Sequence, residues 1–275
     1  MRLIKQLAVV LLISLIGGQL MAAADWNTPL ALVIGFGTAV AALFGYRWVV
    51  GRTERREVTE VGRPGAAAAV GRGLLIGLGM FAAVIGNIAL LGDYHVAGWG
   101  SVSGALALFG FTAAAAVTEE LMYRGVLFRI IEGRLGTWAA LGLTALLFGL
   151  SHLLNPNATL WGALAIAVEA GGMLGAAYVA TRSLWLPIGI HFAWNFAEGG
   201  IFGTDVSGTN TPQGLLDGVL SGPSMVTGGA FGPEGSVYSV TAGLIATMAF
   251  LWLARRRGTI VAPRRRRTAA ATLVP

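Results

Sequence analysis

An all-α bundle of about eight transmembrane helices is the fold this sequence predicts, on three observations. Apolar residues form 55% of the 275-residue chain and charged residues 12%, against about a quarter charged in a soluble domain; mean hydropathy is +0.72. Apolar runs close to or above the roughly 20 residues needed to cross a bilayer recur along the chain. Lys and Arg fall in every second connection between those runs, the alternation of a polytopic protein with its positive loops in the cytoplasm. No stretch is left over for a sizeable soluble domain, so residues 1–275 read as a single, multi-pass membrane domain.

The first run, 6–24, follows Arg2 and Lys5 and reads either as a retained span or as a cleaved signal peptide, with Leu7 to Ile16 as the hydrophobic region and Ala22-Ala23-Ala24 as the cleavage site. The second, 29–50, leads into a linker of mixed charge over 52–72; Arg47, Arg52, Arg55, Arg56, Arg63 and Arg72 gather there. Runs 73–91 and 103–128 flank a connection holding Asp93, and Arg129 and Arg134 lie between 103–128 and 137–153. Run 160–180 follows the connection around Asn155. Arg182 separates it from 184–202, where Pro187 would start or kink a helix and open room for water.

Segment 203–236, rich in Gly, Ser, Thr and Pro and free of Lys and Arg, reads as an external loop, either flexible or able to close over a site as a lid. The last run, 237–254, enters a cytoplasmic basic tail over 255–275, whose Arg255-Arg256-Arg257 and Arg264 to Arg267 suit anionic lipid rather than nucleic acid. With the Lys- and Arg-free connections outside, both termini lie in the cytoplasm. Arg greatly outnumbers the single Lys5, a bias that points to a GC-rich genome and a prokaryotic plasma membrane. The absence of Cys excludes disulfides, thiolate metal sites and cysteine nucleophiles.

Ionisable groups at bilayer depth are costly unless a function retains them, and three polar clusters break the apolar runs. They are Glu119-Glu120-Leu-Met-Tyr-Arg124, Phe148-Gly-Leu-Ser-His152 and His191-Phe-Ala-Trp-Asn195. At about 100° per residue, Glu120 and Arg124 share a helix face, and Glu119 is turned about a quarter circle away. Glu120 is thus expected to pair with Arg124, leaving Glu119 to face another helix and exchange a proton with water. A purely structural ion network is the competing reading of the Glu120 and Arg124 pair. His191 and Asn195, also four apart, project together as two donors suited to a developing oxyanion. Glu198, one turn further, either orients His191 or faces solvent; Glu169 either lines the same cavity or pairs with a neighbour.

In this order on successive spans, Glu-Glu-x-x-x-Arg, Phe-x-x-x-His and His-x-x-x-Asn resemble the CAAX-processing and bacteriocin-processing (Abi) family of membrane peptidases. The resemblance covers the core 115–196, including Leu147 to Ser151 and the stretch from Gly175 through Tyr178, Trp185 and Pro187. It implies an intramembrane endopeptidase that cuts a membrane-associated protein or peptide near the bilayer surface. Glu119 and His152 would activate the attacking water, His191 and Asn195 would stabilise the oxyanion, and Glu120 with Arg124 would shape the site. The family is described with zinc and also with glutamate-activated water alone. The residues leave both open, with Glu119, His152 and His191 as ligands if zinc is bound, while the His-Glu-x-x-His spacing of common zinc peptidases is absent. A proton-coupled transporter, or a non-catalytic scaffold, would also place Glu and His in the membrane, but no internal repeat of the transporter kind is found.

Overall fold

The computed structural model describes residues 1–264, so the part of the basic tail from 265 to 275 lies outside the described residues. Among the described residues, seven helices are long and apolar enough to cross a membrane: α1 (Arg2–Ala23), α2 (Thr28–Glu54), α3 (Ala66–Leu90), α4 (Val102–Leu135), α5 (Thr137–Leu154), α6 (Leu160–Thr181) and Val237–Arg256. The expected eighth span at 184–202 is also helical. It is a shorter element, α7, with an 11-residue α-helix, Trp185–Asn195, continued by six π-helical residues, Phe196–Ile201. Pro187 falls in its first turn, where a missing N–H leaves no gap in the helical ladder. The C-terminal helix Val237–Arg256 is α8.

Contacts at the helix ends sort the bundle into two faces. At one, Gln6 bonds Thr53 and Glu54, the Leu184 N–H donates to the Glu60 carbonyl, and Arg182 pairs with Glu132. At the other, Ser221 bonds Asp93, Gly100 bonds Leu215, and the Asn155 side chain donates to the Ser207 carbonyl. Each helix, α7 included, starts at the face where its predecessor ended. The alternation read from the arginines is therefore built into the packing, and α1 packs on the bundle with Gln6 fully buried.

Without a hydrophobic drive between helices in lipid, close packing depends on small residues. Gly35 of α2 faces Gly110 of α4 so closely that a Cβ on Gly35 would sit 2.0 Å from the Gly110 carbonyl oxygen. Gly73 and Gly77 let α3 run along α7 in the same way, against Leu186, Gly189 and Ile190. The most enclosed spans are α6 and α4, which carry the buried Glu169 and the buried Glu120 and Arg124.

Segment 203–236 holds regular structure. Strand β2 (Leu216–Leu220) pairs antiparallel with β1 (Tyr94–Trp99), and short helical turns between Ser224 and Gly235 bury Phe231 and Glu234. This hairpin-like pair was not expected from the sequence. Each strand is only five or six residues long and interrupted by Gly, so neither shows the sustained alternation of a half-buried strand. In the basic tail, Arg256 stacks 4.0 Å over Trp252 and Arg257 donates to the Ala180 carbonyl.

Candidate active site

The first polar cluster lies where α4 changes its winding. The helix is α-helical through Glu120, π-helical over Leu121–Phe128, and α-helical again over Arg129–Leu135. Widened turns of this kind recur at functional sites because they redirect side chains and free carbonyls. Here the Gly125 carbonyl accepts from Arg129 Nε at 2.9 Å and lies 2.9 Å from the Tyr46 hydroxyl. A Cβ at Gly125 would meet the Tyr46 ring at 2.9 Å, so only glycine fits.

The Tyr46 hydroxyl also reaches Glu60 Oε1 at 2.6 Å, and Arg56 and Arg129 surround the same carboxylate. Burial alone would raise the Glu60 carboxyl, but hydrogen bonds from Arg56 and Tyr46 outweigh it and hold the group below the ordinary carboxylate value. The Arg56 guanidinium is correspondingly raised, first by its bonds to Glu60.

Glu120 and Arg124 pair as the spacing predicts. Arg124 Nη1 donates to Glu120 Oε1 at 2.6 Å, and both side chains are essentially buried, at 1% and 0% exposure. Arg124 Nη2 donates to the Ala170 and Gly171 carbonyls in a second π-helical stretch, Ala167–Gly172 of α6. Its guanidinium lies 4.6 Å from the centre of the Phe148 ring. Phe148 is the hub of the cluster, in edge contact with Tyr123, His152 and His191 at 5.0, 4.9 and 5.9 Å.

Two hydrogen bonds fix the imidazoles. His191 Nδ1 lies 3.0 Å from Glu120 Oε1, a carboxylate that only accepts, so Nδ1 carries the proton and Nε2 points away, 3.8 Å from Glu119 Oε2. His152 Nδ1 lies 2.8 Å from the Phe148 carbonyl oxygen, so there too Nδ1 donates and Nε2 is left as an acceptor. The partner that orients His191 is thus Glu120, across the bundle. Glu198, expected either to orient that imidazole or to face solvent, is fully buried beside Gly232. Glu169 is also fully buried, packed against Gly243 of α8 and without a hydrogen bond to its carboxyl oxygens.

Glu119 faces open space, as its quarter-turn offset predicts. A cavity of about 250 Å³ is lined by Glu119, Tyr123, Ser151, His152, Asn155 and Asn195, with Val206, Ser207 and Thr209 of the folded segment closing it. Glu119, His152 and Asn195 therefore border one cavity, with His191 Nε2 3.8 Å from Glu119 Oε2. Sequence reading missed Tyr123 and Ser151, although both lie inside the motifs. It missed Asn155, Ser207 and Thr209 because they sit in connections with no periodic signal.

Zinc is the cofactor that the motif resemblance raises. Among the described residues, no three His, Asp or Glu side chains converge as a metal-binding group, so Glu119, His152 and His191 are not arranged as a three-ligand zinc set. No step through a metal is derived from this arrangement.

Comparison with known proteins finds no match among curated proteins and none among solved structures. Residues 100–197 match the family model described as type II CAAX prenyl endopeptidase Rce1-like, and that segment holds all seven motif residues, Phe148 included. The likeness read from the motif order and the family match coincide: over residues 100–197 the chain is similar to the Rce1-like, type II CAAX prenyl endopeptidases.

Proposed function

We propose that this chain is an intramembrane endopeptidase that hydrolyses a peptide bond of a membrane-associated protein or peptide by glutamate-activated water. The observation that carries the reading is the shared cavity, bordered by a carboxylate, an imidazole with a free acceptor nitrogen and a carboxamide and, at about 250 Å³, large enough for water and a peptide carbonyl. Water bound between Glu119 and His152 Nε2 loses a proton to Glu119 as its oxygen attacks the carbonyl carbon. The new oxyanion takes a hydrogen bond from the Asn195 amide, and a second from His191 Nε2 when that imidazole, flanked by Glu119 and Glu120, carries both protons. Collapse of the tetrahedral species breaks the C–N bond, and Glu119 returns its proton to the departing amine. Glu120 and Arg124 orient His191 and do not touch the reacting atoms.

A proton-coupled transporter is the second reading, since it too would bury Glu and His. The two part on the product. Purified protein reconstituted with a membrane-anchored peptide should yield two fragments whose summed mass exceeds the substrate by one water. Glu119→Gln should slow this by about 10²–10⁴-fold, the usual contribution of a general base. An intact peptide moved across the bilayer, with no new termini, would mean transport instead.

A further inference from the structure

We infer that the catalytic cavity opens on the side of the membrane away from the cytoplasm, so that the substrates are bilayer-held peptides whose scissile bond lies at the non-cytoplasmic surface. The inference rests on the hydrolytic reading of the cavity given above.

The charge distribution gives the first half of the case. Among the described Lys and Arg residues, Arg124 alone is held in the bundle interior between spans. The other described ones lie in the end turns and connections of the face marked by Glu54, Glu60 and Arg182, which is also where α8 delivers Arg255, Arg256 and Arg257. The connections at the opposite face, 24–27, 91–101, 152–159 and 202–236, contain no Lys or Arg and hold Asp25, Asp93, Asp205, Asp217 and Glu234. An excess of Lys and Arg marks the cytoplasmic side of a membrane protein, so the acidic face is the outer one.

The cavity walls give the second half. Asn155, Val206, Ser207 and Thr209, which complete the cavity around Glu119, His152 and Asn195, all come from connections at the acidic face. A second groove of about 400 Å³ shares Ser14, Phe111, Ala115 and Glu119 with the cavity and continues along α1 and α4 to Asp25 and Trp26 at the same face. Toward the basic face the way is filled. Arg124 is locked between Glu120 and the α6 carbonyls, and beyond it Tyr46 packs on Gly125 within the network of Glu54, Glu60, Arg56 and Arg129. Water and substrate thus reach Glu119 from the outer leaflet, and a peptide tail in the cytoplasm would have to cross the bundle to be cut.

The chain has no Cys, so a single introduced thiol reports on sidedness without background. Thr209→Cys at the cavity, and Asn210→Cys beside it on exposed chain in case the first fails to fold, are compared with Glu57→Cys at the basic face. A membrane-impermeant maleimide is applied to intact cells and to inside-out vesicles. In parallel, two anchored reporter peptides place the same cleavable sequence on the outer or on the cytoplasmic side. The expected result is labelling of Thr209→Cys and Asn210→Cys in intact cells and its loss in inverted vesicles, the reverse for Glu57→Cys, and cleavage of the outer reporter alone. Labelling of the cavity thiols only in inverted vesicles, or cleavage of the cytoplasmic reporter alone, overturns the inference. Cleavage of neither reporter, by wild type and Glu119→Gln alike, with the outside labelling retained, defeats the peptidase reading and with it the substrate class, but not the sidedness.

Discussion

Arg124→Gln and Glu119→Gln should separate stability from catalysis, because the two motif residues sit in opposite surroundings. Arg124 is buried, bonded to Glu120 at 2.6 Å and to two α6 carbonyls, and stacked on Phe148. Replacing it leaves Glu120 a buried carboxylate with only His191 beside it, and removes the tie between α4 and α6. Breaking one partner of a buried pair costs about 3–5 kcal/mol, which for a chain of this size lowers Tm by roughly 6–15 °C. Glu119 has a side chain 28% exposed to the cavity and no hydrogen-bond partner for Oε2, so the isosteric Gln should change stability by less than about 1 kcal/mol. Both variants should lose peptide hydrolysis. The assay is thermal unfolding in detergent, followed by tryptophan fluorescence, run beside cleavage of a membrane-anchored peptide. An equal fall in Tm for both variants, or an unchanged Tm for Arg124→Gln, would refute the assignment of one residue to structure and the other to chemistry.

Asn195→Ala should lower kcat by about a hundredfold or more with little change in KM, as expected for a donor used mainly in the transition state; a change in KM alone would place it in substrate binding. Gly125→Ala should lower both expression and activity, since its Cβ would meet the Tyr46 ring at 2.9 Å, and Tyr46→Phe combined with it should not restore the fold because the ring remains. The Glu60 carboxyl is depressed in the folded protein, so its contribution to stability is complete above the ordinary carboxylate value and is lost as pH falls through the lower folded value. Acid unfolding followed by fluorescence should therefore be shallower in Glu60→Gln than in wild type, and identical acid profiles would contradict the network described.

Most of the bundle was legible because the physics that sets it is local in sequence. Span length and arginine placement gave most helix ends to within about four residues, missing the start of α3 and the end of α4 by seven each, and the i,i+4 rule gave the Glu120–Arg124 pair and turned Glu119 into the cavity. What the sequence could not carry depends on how helices meet. The bond from His191 to Glu120 joins α7 to α4, and no spacing within either motif announces it. The fate of Glu198 was illegible for the same reason: its neighbours Gly232 and Glu234 arrive through the folded segment 203–236, whose strands are too short and too Gly-rich to signal themselves. The π-helical turns at 121–128 and 196–201 also leave no mark in the apolar pattern, yet the first of them brings the Gly125 carbonyl to Tyr46.

The central claim is that water activated by Glu119 cuts the peptide, with Asn195 and His191 holding the oxyanion. Its most direct test is the rate of peptide cleavage by purified wild type and Glu119→Gln before and after exhaustive chelation, with bound metal quantified in each sample. The account predicts that chelated wild type keeps its rate, while Glu119→Gln is folded and slower by about 10²–10⁴-fold throughout. Loss of wild-type activity on chelation, its return with added zinc, and stoichiometric zinc that disappears in His152→Ala and His191→Ala would contradict it.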